Sequence, residues 1–332
     1  MTQQPDFSEK QLHVVTGKGG TGKTTVASAL ALALASRGKT VLLCEVENRQ
    51  GIAQVFDLPP LPYEERLIAR GERSGHGDVY AIAIEAEAAL LEYLDMYYRL
   101  GRAGKALDRF GVIEFATTIA PGVRDVLLTG KVYEAAKRNA RNKGARNYDA
   151  IVLDAPPTGR IAQFLNVNGE LAGLAKVGPI KNQADTVMTL MHSDRTAVHL
   201  VTILEEMPVQ ETIDGVAELQ RHGLPVGAII VNLVRPQDLD SEDRVALLND
   251  KVDKGELKAN LRRAGLDPTE ALIADLLAEG RDHAERRQLE DAQRDRLDEA
   301  KTPIIELPRL AGGADLVGVA ELAEALTEQG LV

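Results

Sequence analysis

The sequence has 332 residues, of which 44% are hydrophobic and 4% aromatic, and a formal net charge of −11. This acidic balance argues against a broad nucleic-acid-binding face, which draws its affinity from clustered lysine and arginine. It also argues weakly against adsorption to an anionic membrane surface. The single cysteine, Cys44, excludes an intrachain disulfide and a zinc or iron–sulfur site held by several thiolates of one subunit.

The polar and acidic N-terminal segment lacks the basic and apolar regions of a signal peptide. No apolar stretch reaches the ~20 residues that a membrane-spanning helix requires. We therefore expect a cytoplasmic protein without stable membrane insertion.

Apolar runs and helical patterns alternate along the chain. Residues 13–15 form an apolar run before a glycine-rich turn, and an Ala/Leu-rich helix is predicted over 24–36. Further short buried strands are predicted at 41–46, 79–84, 151–154, 200–204, 228–232 and 304–307. Strands separated by helices indicate an α/β fold with a mostly parallel sheet and helices on both faces. Ligands of such sheets bind beyond the carboxyl ends of the strands.

Three segments exceed a minimal α/β unit. Residues 85–147 and 169–193 are predicted to be helical insertions, and residues 238–301 a charged helical insertion before the last strand. No internal repeat or low-complexity linker separates these segments from the rest. We therefore predict a single domain over residues 12–332.

The stretch TGKGGTGKTT, residues 16–25, matches the phosphate-binding loop of P-loop NTPases, and it lies between a predicted strand and a predicted helix. Glycines allow successive backbone N–H groups to converge on phosphates, and the N-terminus of the helix adds a positive dipole. Lys23 is expected to contact the β- and γ-phosphates of ATP, and the Thr24 hydroxyl to ligate Mg²⁺. The predicted phosphate-binding residues are Gly17, Gly19, Gly20, Thr21, Gly22, Lys23 and Thr24.

A second lysine, Lys18, stands at the start of this loop, where its side chain projects away from the phosphate cradle. It is either a solvated lysine or a charge donated across a dimer interface, in the manner of an arginine finger. The string KGGTGKTT resembles the deviant loop KGGxGK[ST]T of the ATPase family that includes MinD, ParA, the nitrogenase iron protein and the arsenite-pump ATPase. The resemblance implies that Lys18 contacts the nucleotide of a partner subunit in a face-to-face dimer and takes part in catalysis.

A carboxylate, Asp154, ends an apolar run and is followed by the residues APPTGR. A carboxylate at the end of a strand beside the phosphate loop can hold Mg²⁺ through water. The string DAPPTGR resembles the DTAPTGH switch of the arsenite-pump and tail-anchored-protein-targeting ATPases of the GET pathway. The chain also resembles actinobacterial anion-transporting ATPases, and the resemblance covers residues 12–328. It implies that Thr25 lies near the α-phosphate, that Asn232 contacts the adenine ring and that Pro308 lies in the loop over the base.

The first switch region, VLLCEVENRQGIAQVF at residues 41–56, departs from the family pattern. Glu47 replaces the aspartate that orients the attacking water, and Asn-Arg-Gln follows in place of Pro-Ala-His. A glutamate can still orient water, but its carboxylate lies one methylene further out, and small misplacements lower rates. We therefore expect slow hydrolysis, or hydrolysis carried out mainly by a paralogous partner.

The resemblance implies a Mg²⁺-ATP-dependent dimeric switch ATPase, either a homodimer or a heterodimer with a paralogue, that acts on a membrane-protein client or a transporter. It would lack the zinc and metalloid sites of its relatives, since Cys44 is expected to be a small core residue. Apolar residues near Tyr97 and near Met188 either form a groove for a hydrophobic client or pack as ordinary core.

Two alternatives to a client-handling ATPase stay open on the sequence. One is a positioning ATPase of the ParA or MinD kind that binds DNA or membrane, and the acidic charge counts against it. The other is a metabolic ligase that uses the same phosphate loop.

Overall fold

A computed structural model describes residues 6–46, 49–71, 74–98, 121–138, 145–166 and 179–332. The strands in these ranges are β1 (Leu12–Gly17), β2 (Val41–Glu45), β3 (Arg66–Ala69), β4 (Val79–Ala83), β5 (Ala150–Asp154), β6 (Thr196–Thr202), β7 (Val226–Val234) and β8 (Ile304–Pro308). The helices are α1 (Lys23–Ser36), α2 (Gly51–Val55), α3 (Ala86–Tyr98), α4 (Pro121–Lys137), α5 (Thr158–Leu165), α6 (Pro179–Met191), α7 (Glu206–Arg221), α8 (Ser241–Leu248), α9 (Lys254–Arg263), α10 (Glu270–Leu297) and α11 (Leu316–Glu328).

The eight strands of the described residues form one sheet in the order β3-β4-β2-β5-β1-β6-β7-β8. Every neighbouring pair is parallel except β3 and β4, which are antiparallel at the edge. The predicted α/β fold with a mostly parallel sheet is therefore confirmed. The sequence analysis does not predict β3, because this strand has only four residues and its side chains are exposed or half-buried, so no apolar run marks it.

Helices cover both faces of the sheet, as predicted. Side chains alternate between the faces along each strand: Leu42 and Cys44 belong to one buried cluster, and Val41 and Leu43 belong to the other. The first cluster includes buried residues of α4, α5, α6 and α7, and the second includes those of α1, α2 and α11. Cys44 is completely buried, which confirms its expected place in the core.

The described parts of the three predicted insertions are helical. Helices α3 and α4 lie within residues 85–147, α6 lies within 169–193, and α8, α9 and α10 lie within 238–301. The insertion boundaries stay predictions. No helix among the described residues combines the length and the apolar character needed to cross a membrane.

The apolar side chains of α6 near Met188 contribute to the core. Val187, Leu190 and Met191 are buried, and Met188 is half-buried against the same cluster. The side chain of Tyr97, which was assigned to the other apolar patch, lies outside the described residues. Thr189 on the same helix is exposed, and the groove named as one alternative stays a prediction.

Strands β1 and β6 bury two neighbouring histidines. His13 Nδ1 lies 3.2 Å from His199 Nε2, and the Ala228 backbone N–H donates to His199 Nδ1 at 3.2 Å. Because Nδ1 of His199 accepts a hydrogen bond, its Nε2 carries the proton that is donated to His13. Burial lowers the pKa of His199 to about 4 and holds the pKa of His13 well below its usual value. Both side chains are therefore neutral in the folded protein at pH 7.

These polar residues explain why the predicted strand at 200–204 begins too late. Thr196 and His199 are polar by type but completely or almost completely buried, and β6 starts at Thr196. The apolar pattern in the sequence becomes continuous only after His199. The structure therefore moves the start of this strand toward the N-terminus.

We expect the free energy of unfolding to fall as the pH is lowered from 7 to 5. An unfolded histidine takes up a proton near pH 6.5, whereas folded His199 does so only near pH 4. Between these values the unfolded state binds more protons, so His199 alone lowers stability by about 2 kcal/mol at pH 5. Urea denaturation at pH 7, 6 and 5 measures this loss.

The variant His199→Gln separates this contribution from those of other groups. It is expected to be less stable at pH 7 but to lose about 2 kcal/mol less between pH 7 and pH 5 than the wild-type protein. The variant His222→Gln, at an exposed histidine, serves as the control and keeps the wild-type loss. Equal pH dependence of His199→Gln and the wild type would contradict the neutral buried pair.

Candidate functional site

The glycine-rich loop lies at the carboxyl end of β1 and leads directly into α1. Two of its glycines are required by their surroundings: a β-carbon at Gly17 would collide with the carbonyl oxygen of Val201, and one at Gly22 with the side-chain amide of Asn232. Both glycines also have positive φ values, 152° and 88°, which other residues rarely adopt. The loop is closed by Thr21, whose hydroxyl donates to the Lys18 carbonyl at 2.9 Å.

The side chains of Lys23 and Thr24 lie at the start of α1. Lys23 is 7% exposed, and its ammonium group donates to the Lys18 carbonyl at 3.4 Å, so it lies along the loop. The Thr24 hydroxyl donates to Asp154 Oδ2 at 2.6 Å, across 130 residues of sequence. Thr25, half-buried, follows in the first turn of the same helix. The structure thus brings together the two residues that the sequence analysis assigned to Mg²⁺.

Asp154 is placed by the pairing of β5 with β1, in which its Cα is the partner of Val15. The side chain is 8% exposed, and Oδ1 has no hydrogen-bond partner among the described residues. Burial raises the pKa of Asp154 to about 6, the hydrogen bond from Thr24 acts in the opposite direction, and the charge of Glu45 raises the pKa further. A buried carboxylate oxygen without a partner fits an ordered water of a Mg²⁺ shell.

Glu45 is a carboxylate of this site that the sequence analysis did not single out. It is the last residue of β2, is 3% exposed and accepts a hydrogen bond from the Gly51 backbone N–H at 2.9 Å through Oε1. Oε2 has no hydrogen-bond partner in the described part of the chain. Burial raises the pKa of Glu45. The signal that could have identified it is the one used for Asp154, a carboxylate that ends an apolar strand.

Glu47, predicted to orient the attacking water, lies outside the described residues. The structure does describe the part of the first switch region that follows Glu47. There α2 begins at Gly51 and packs against the first turn of α1. A β-carbon at Gly51 would lie 3.0 Å from Thr24 Cγ2. This close contact places the N-terminus of α2 beside the predicted Mg²⁺ residues.

Asn232 connects β7 to the phosphate loop. Its side chain is 4% exposed, and Nδ2 donates to the Thr21 carbonyl at 2.9 Å. Pro308, the last residue of β8, is exposed and lies beside Val234 of β7. Both residues predicted near the base therefore lie at the same edge of the sheet as the loop, but only Asn232 is placed in direct contact with it.

The side chain of Lys18 is held by helix α7. Its ammonium group lies 2.8 Å from Glu211 Oε1, and the two side chains are 31% and 39% exposed. Lys18 therefore points toward α7 at the surface of the chain, where a partner could reach it. Within the described ranges, no group of three or more His, Cys, Asp or Glu residues could hold a metal ion. A Mg²⁺ ion at this edge would depend on phosphates and water for the rest of its coordination.

Comparison with known proteins shows to which family this chain belongs. The model of the family described as anion-transporting ATPase matches residues 10–193 and 173–259. The chain is 52% identical over 325 residues to ATPase BagA of Mycobacterium tuberculosis, which covers 98% of this chain and 95% of that protein.

More distant relatives bear the names of the two branches of the family that the sequence resembles. The chain is 27% identical over 283 residues to ATPase GET3 of Kluyveromyces lactis, covering 73% of this chain and 79% of that protein. It is 25% identical over 255 residues to the putative arsenical pump-driving ATPase 2 of Aquifex aeolicus, covering 68% of this chain and 81% of that protein. These matches confirm the predicted resemblance. The chain belongs to the anion-transporting ATPase family, and it is an ATPase.

Proposed function

We propose that this protein is a Mg²⁺-ATP-dependent dimeric switch ATPase, in which ATP brings two subunits together and hydrolysis releases them. The observation that carries the proposal is the contact of Thr24 with Asp154 at the mouth of a phosphate loop whose first lysine, Lys18, is partly exposed and paired with Glu211 at the surface. A binding site and a lysine that a partner can reach, both on the same loop, allow one nucleotide to hold two subunits.

The proposed nucleotide contacts follow the geometry of the loop. Backbone N–H groups of residues 17–22 bind the phosphates, Lys23 contacts the β- and γ-phosphates, and Thr25 lies near the α-phosphate. Thr24 ligates Mg²⁺ directly and Asp154 does so through water, and the ion neutralises phosphate charge. Asn232, fixed against the loop, contacts the base, and Pro308 lies on the same side.

Lys18 is proposed to exchange its partner when the dimer forms. In the isolated chain it pairs with Glu211, and an ion pair this exposed contributes roughly 0–1 kcal/mol. Hydrogen bonds between an ammonium group and a phosphate of a partner subunit are charge-assisted and stronger. Glu211 therefore holds Lys18 in position without preventing its transfer to the nucleotide of the partner.

Glu47 is proposed to orient the attacking water, and its longer side chain favours slow hydrolysis. A paralogue with a better-placed carboxylate could complement this chain in a heterodimer. We further propose that the protein works in the cytoplasm, binds no nucleic acid, and acts on a membrane protein, either as a hydrophobic client or as a transporter. The names of the two distant relatives, GET3 and arsenical pump-driving ATPase, are consistent with both kinds of target.

The exchange of Lys18 predicts the behaviour of two variants in light scattering. Mg²⁺-ATP is expected to convert the wild-type protein from monomer to dimer, and Lys18→Ala to stay monomeric. Glu211→Gln releases the lysine, so its dimer is expected to form up to about 5-fold more readily, which corresponds to ~1 kcal/mol.

A surface lysine with a similar ion pair gives the control. Lys258 pairs with Glu270 at 2.5 Å on another part of the chain, and Lys258→Ala is expected to dimerise as the wild type does. Dimerisation of Lys18→Ala at the wild-type ATP concentration would contradict the role of Lys18. A wild-type chain that stays monomeric with ATP would exclude the homodimer, and mixing with a paralogue would then test the heterodimer.

The contact of Asn232 with the loop predicts a joint loss of stability and ATP affinity. Asn232→Ala leaves the Thr21 carbonyl without its buried donor, which is expected to cost about 1–3 kcal/mol of unfolding free energy. Urea denaturation and calorimetric titration with ATP measure the two effects. Asn249→Ala, which removes an exposed amide bonded to the Val245 carbonyl, is expected to change neither. Wild-type ATP affinity in Asn232→Ala would rule out its proposed role.

A further inference from the structure

We infer that Glu45 is a second carboxylate of the Mg²⁺ site, which acts together with Asp154 to hold the waters of the ion beside Thr24. This inference rests on the proposed function, because it adds a residue to the proposed Mg²⁺-ATP site. Glu45 is not the residue assigned to the attacking water, which is Glu47, two residues later in the sequence.

The sheet places the two carboxylates side by side. Strands β2 and β5 are parallel neighbours, and Glu45 and Asp154, the last residue of each, are partners in the register. Registered residues of parallel strands point to the same face. Leu43 lies two residues before Glu45, and Val152 two residues before Asp154, so each pair shares one face of the sheet. Leu43 and Val152 belong to the buried cluster that includes residues of α1. Glu45 and Asp154 therefore lie on the α1 side, where Thr24 is located.

Each carboxylate has one oxygen that is satisfied and one that is not. Glu45 Oε1 accepts from the Gly51 N–H at 2.9 Å and Asp154 Oδ2 accepts from the Thr24 hydroxyl at 2.6 Å. Glu45 Oε2 and Asp154 Oδ1 are buried and have no hydrogen-bond partner in the described ranges. The charge of Arg49 acts on both carboxylates and that of Lys23 on Asp154, but neither of these two oxygens accepts a hydrogen bond from a residue that the structure describes. Buried carboxylate oxygens without a partner are costly, so two of them at neighbouring register positions indicate a ligand that supplies donors or further positive charge.

A hydrated Mg²⁺ ion fits this arrangement. Mg²⁺ prefers oxygen ligands, keeps several waters and commonly binds through one or two carboxylates together with phosphates of the substrate. Burial raises the pKa of both groups, and the charge of Glu45 raises the pKa of Asp154 further, whereas Thr24, Lys23 and Arg49 act on Asp154 in the opposite direction. A cation between them would relieve both effects.

Capping of helix α2 explains the role of only one of the two carboxylate oxygens of Glu45. The bond from Gly51 needs an acceptor oxygen, and a glutamine would supply one as well as a glutamate does. The negative charge and the second oxygen are not needed for that bond. Glu45→Gln therefore separates the two roles, since it keeps the acceptor and removes the charge.

The test measures metal affinity rather than activity. Mn²⁺ replaces Mg²⁺, and the electron paramagnetic resonance signal of free Mn²⁺ is recorded while the ion is titrated into full-length protein with a non-hydrolysable ATP analogue. We expect Glu45→Gln to bind Mn²⁺ on the order of 10-fold or more weakly than the wild type. Glu45→Asp, which keeps the charge, is expected to retain part of the affinity.

Glu290→Gln is the matched control. Glu290 is also a largely buried carboxylate, but both of its oxygens are paired, with Arg235 and with Arg287, each at 2.9 Å. Its loss is expected to lower the thermal stability without changing Mn²⁺ affinity. In EDTA, Glu45→Gln should show the opposite pattern, with a Tm equal to or above that of the wild type, because one of two neighbouring like charges is removed.

The possible outcomes separate this inference from the proposed function. Equal Mn²⁺ affinity of Glu45→Gln and the wild type, with nucleotide bound in both, would overturn the role of Glu45 and leave the proposed ATPase site intact. A lower Tm of Glu45→Gln in EDTA with unchanged Mn²⁺ affinity would assign Glu45 a structural role only. A wild-type protein that binds neither Mn²⁺ nor the nucleotide analogue would overturn both proposals.

Discussion

The hydrogen bond between the Thr24 hydroxyl and Asp154 is the contact on which the rest of the site depends. It joins the first turn of α1 to the end of β5 and fixes the phosphate loop over the carboxyl edge of the sheet. Most of what surrounds it follows from this constraint. Gly51 packs closely on Thr24, since a β-carbon there would lie 3.0 Å from Thr24 Cγ2, and Glu45 lies beside Asp154 because β2 pairs with β5.

The parallel sheet makes this constraint possible. Parallel strands end at one edge, and a chain that crosses back through a helix returns to that edge at the end of the next strand. Segments far apart in sequence thus contribute the ends of β1, β2, β5 and β7 to one site. The costly feature of the site, two buried carboxylates with unsatisfied oxygens, is tolerated because the surrounding core on both faces of the sheet is apolar and continuous. Buried atoms without a partner also occur elsewhere in the described residues, such as His13 Nε2 and Ser28 Oγ, but Glu45 and Asp154 are the two carboxylates among them. Buried polar groups without partners commonly mark function.

The sequence predicts the local parts of this molecule well and the non-local parts poorly. The phosphate loop is a contiguous sequence motif, and its glycines are needed for local backbone conformation and close packing. Gly17 and Gly22 could therefore be assigned to phosphate binding from the motif alone. Asp154 could be assigned because it ends an apolar run. Glu45 ends a similar run, yet its importance depends on the register of β2 against β5, which no local pattern encodes.

Contacts between segments that are distant in sequence account for the other features of the structure that the sequence did not predict. The pairing of Lys18 with Glu211 joins the loop to α7 and depends on residues far apart in the sequence. The antiparallel strand β3 has no apolar run by which the sequence could predict it. The burial of His199 depends on neighbouring strands. In each case, contacts made by tertiary packing, and not the local pattern, decide where the residues lie.

The most direct test of the central claim is calorimetric titration of a non-hydrolysable ATP analogue in Mg²⁺ and in EDTA, for the wild-type protein and Thr24→Val. The account predicts that Mg²⁺ strengthens binding to the wild type and has little effect on Thr24→Val, because the variant has lost the hydroxyl that is proposed to ligate the ion. An equal effect of Mg²⁺ on both proteins would contradict it, since the ion would then be held without the contact between α1 and β5.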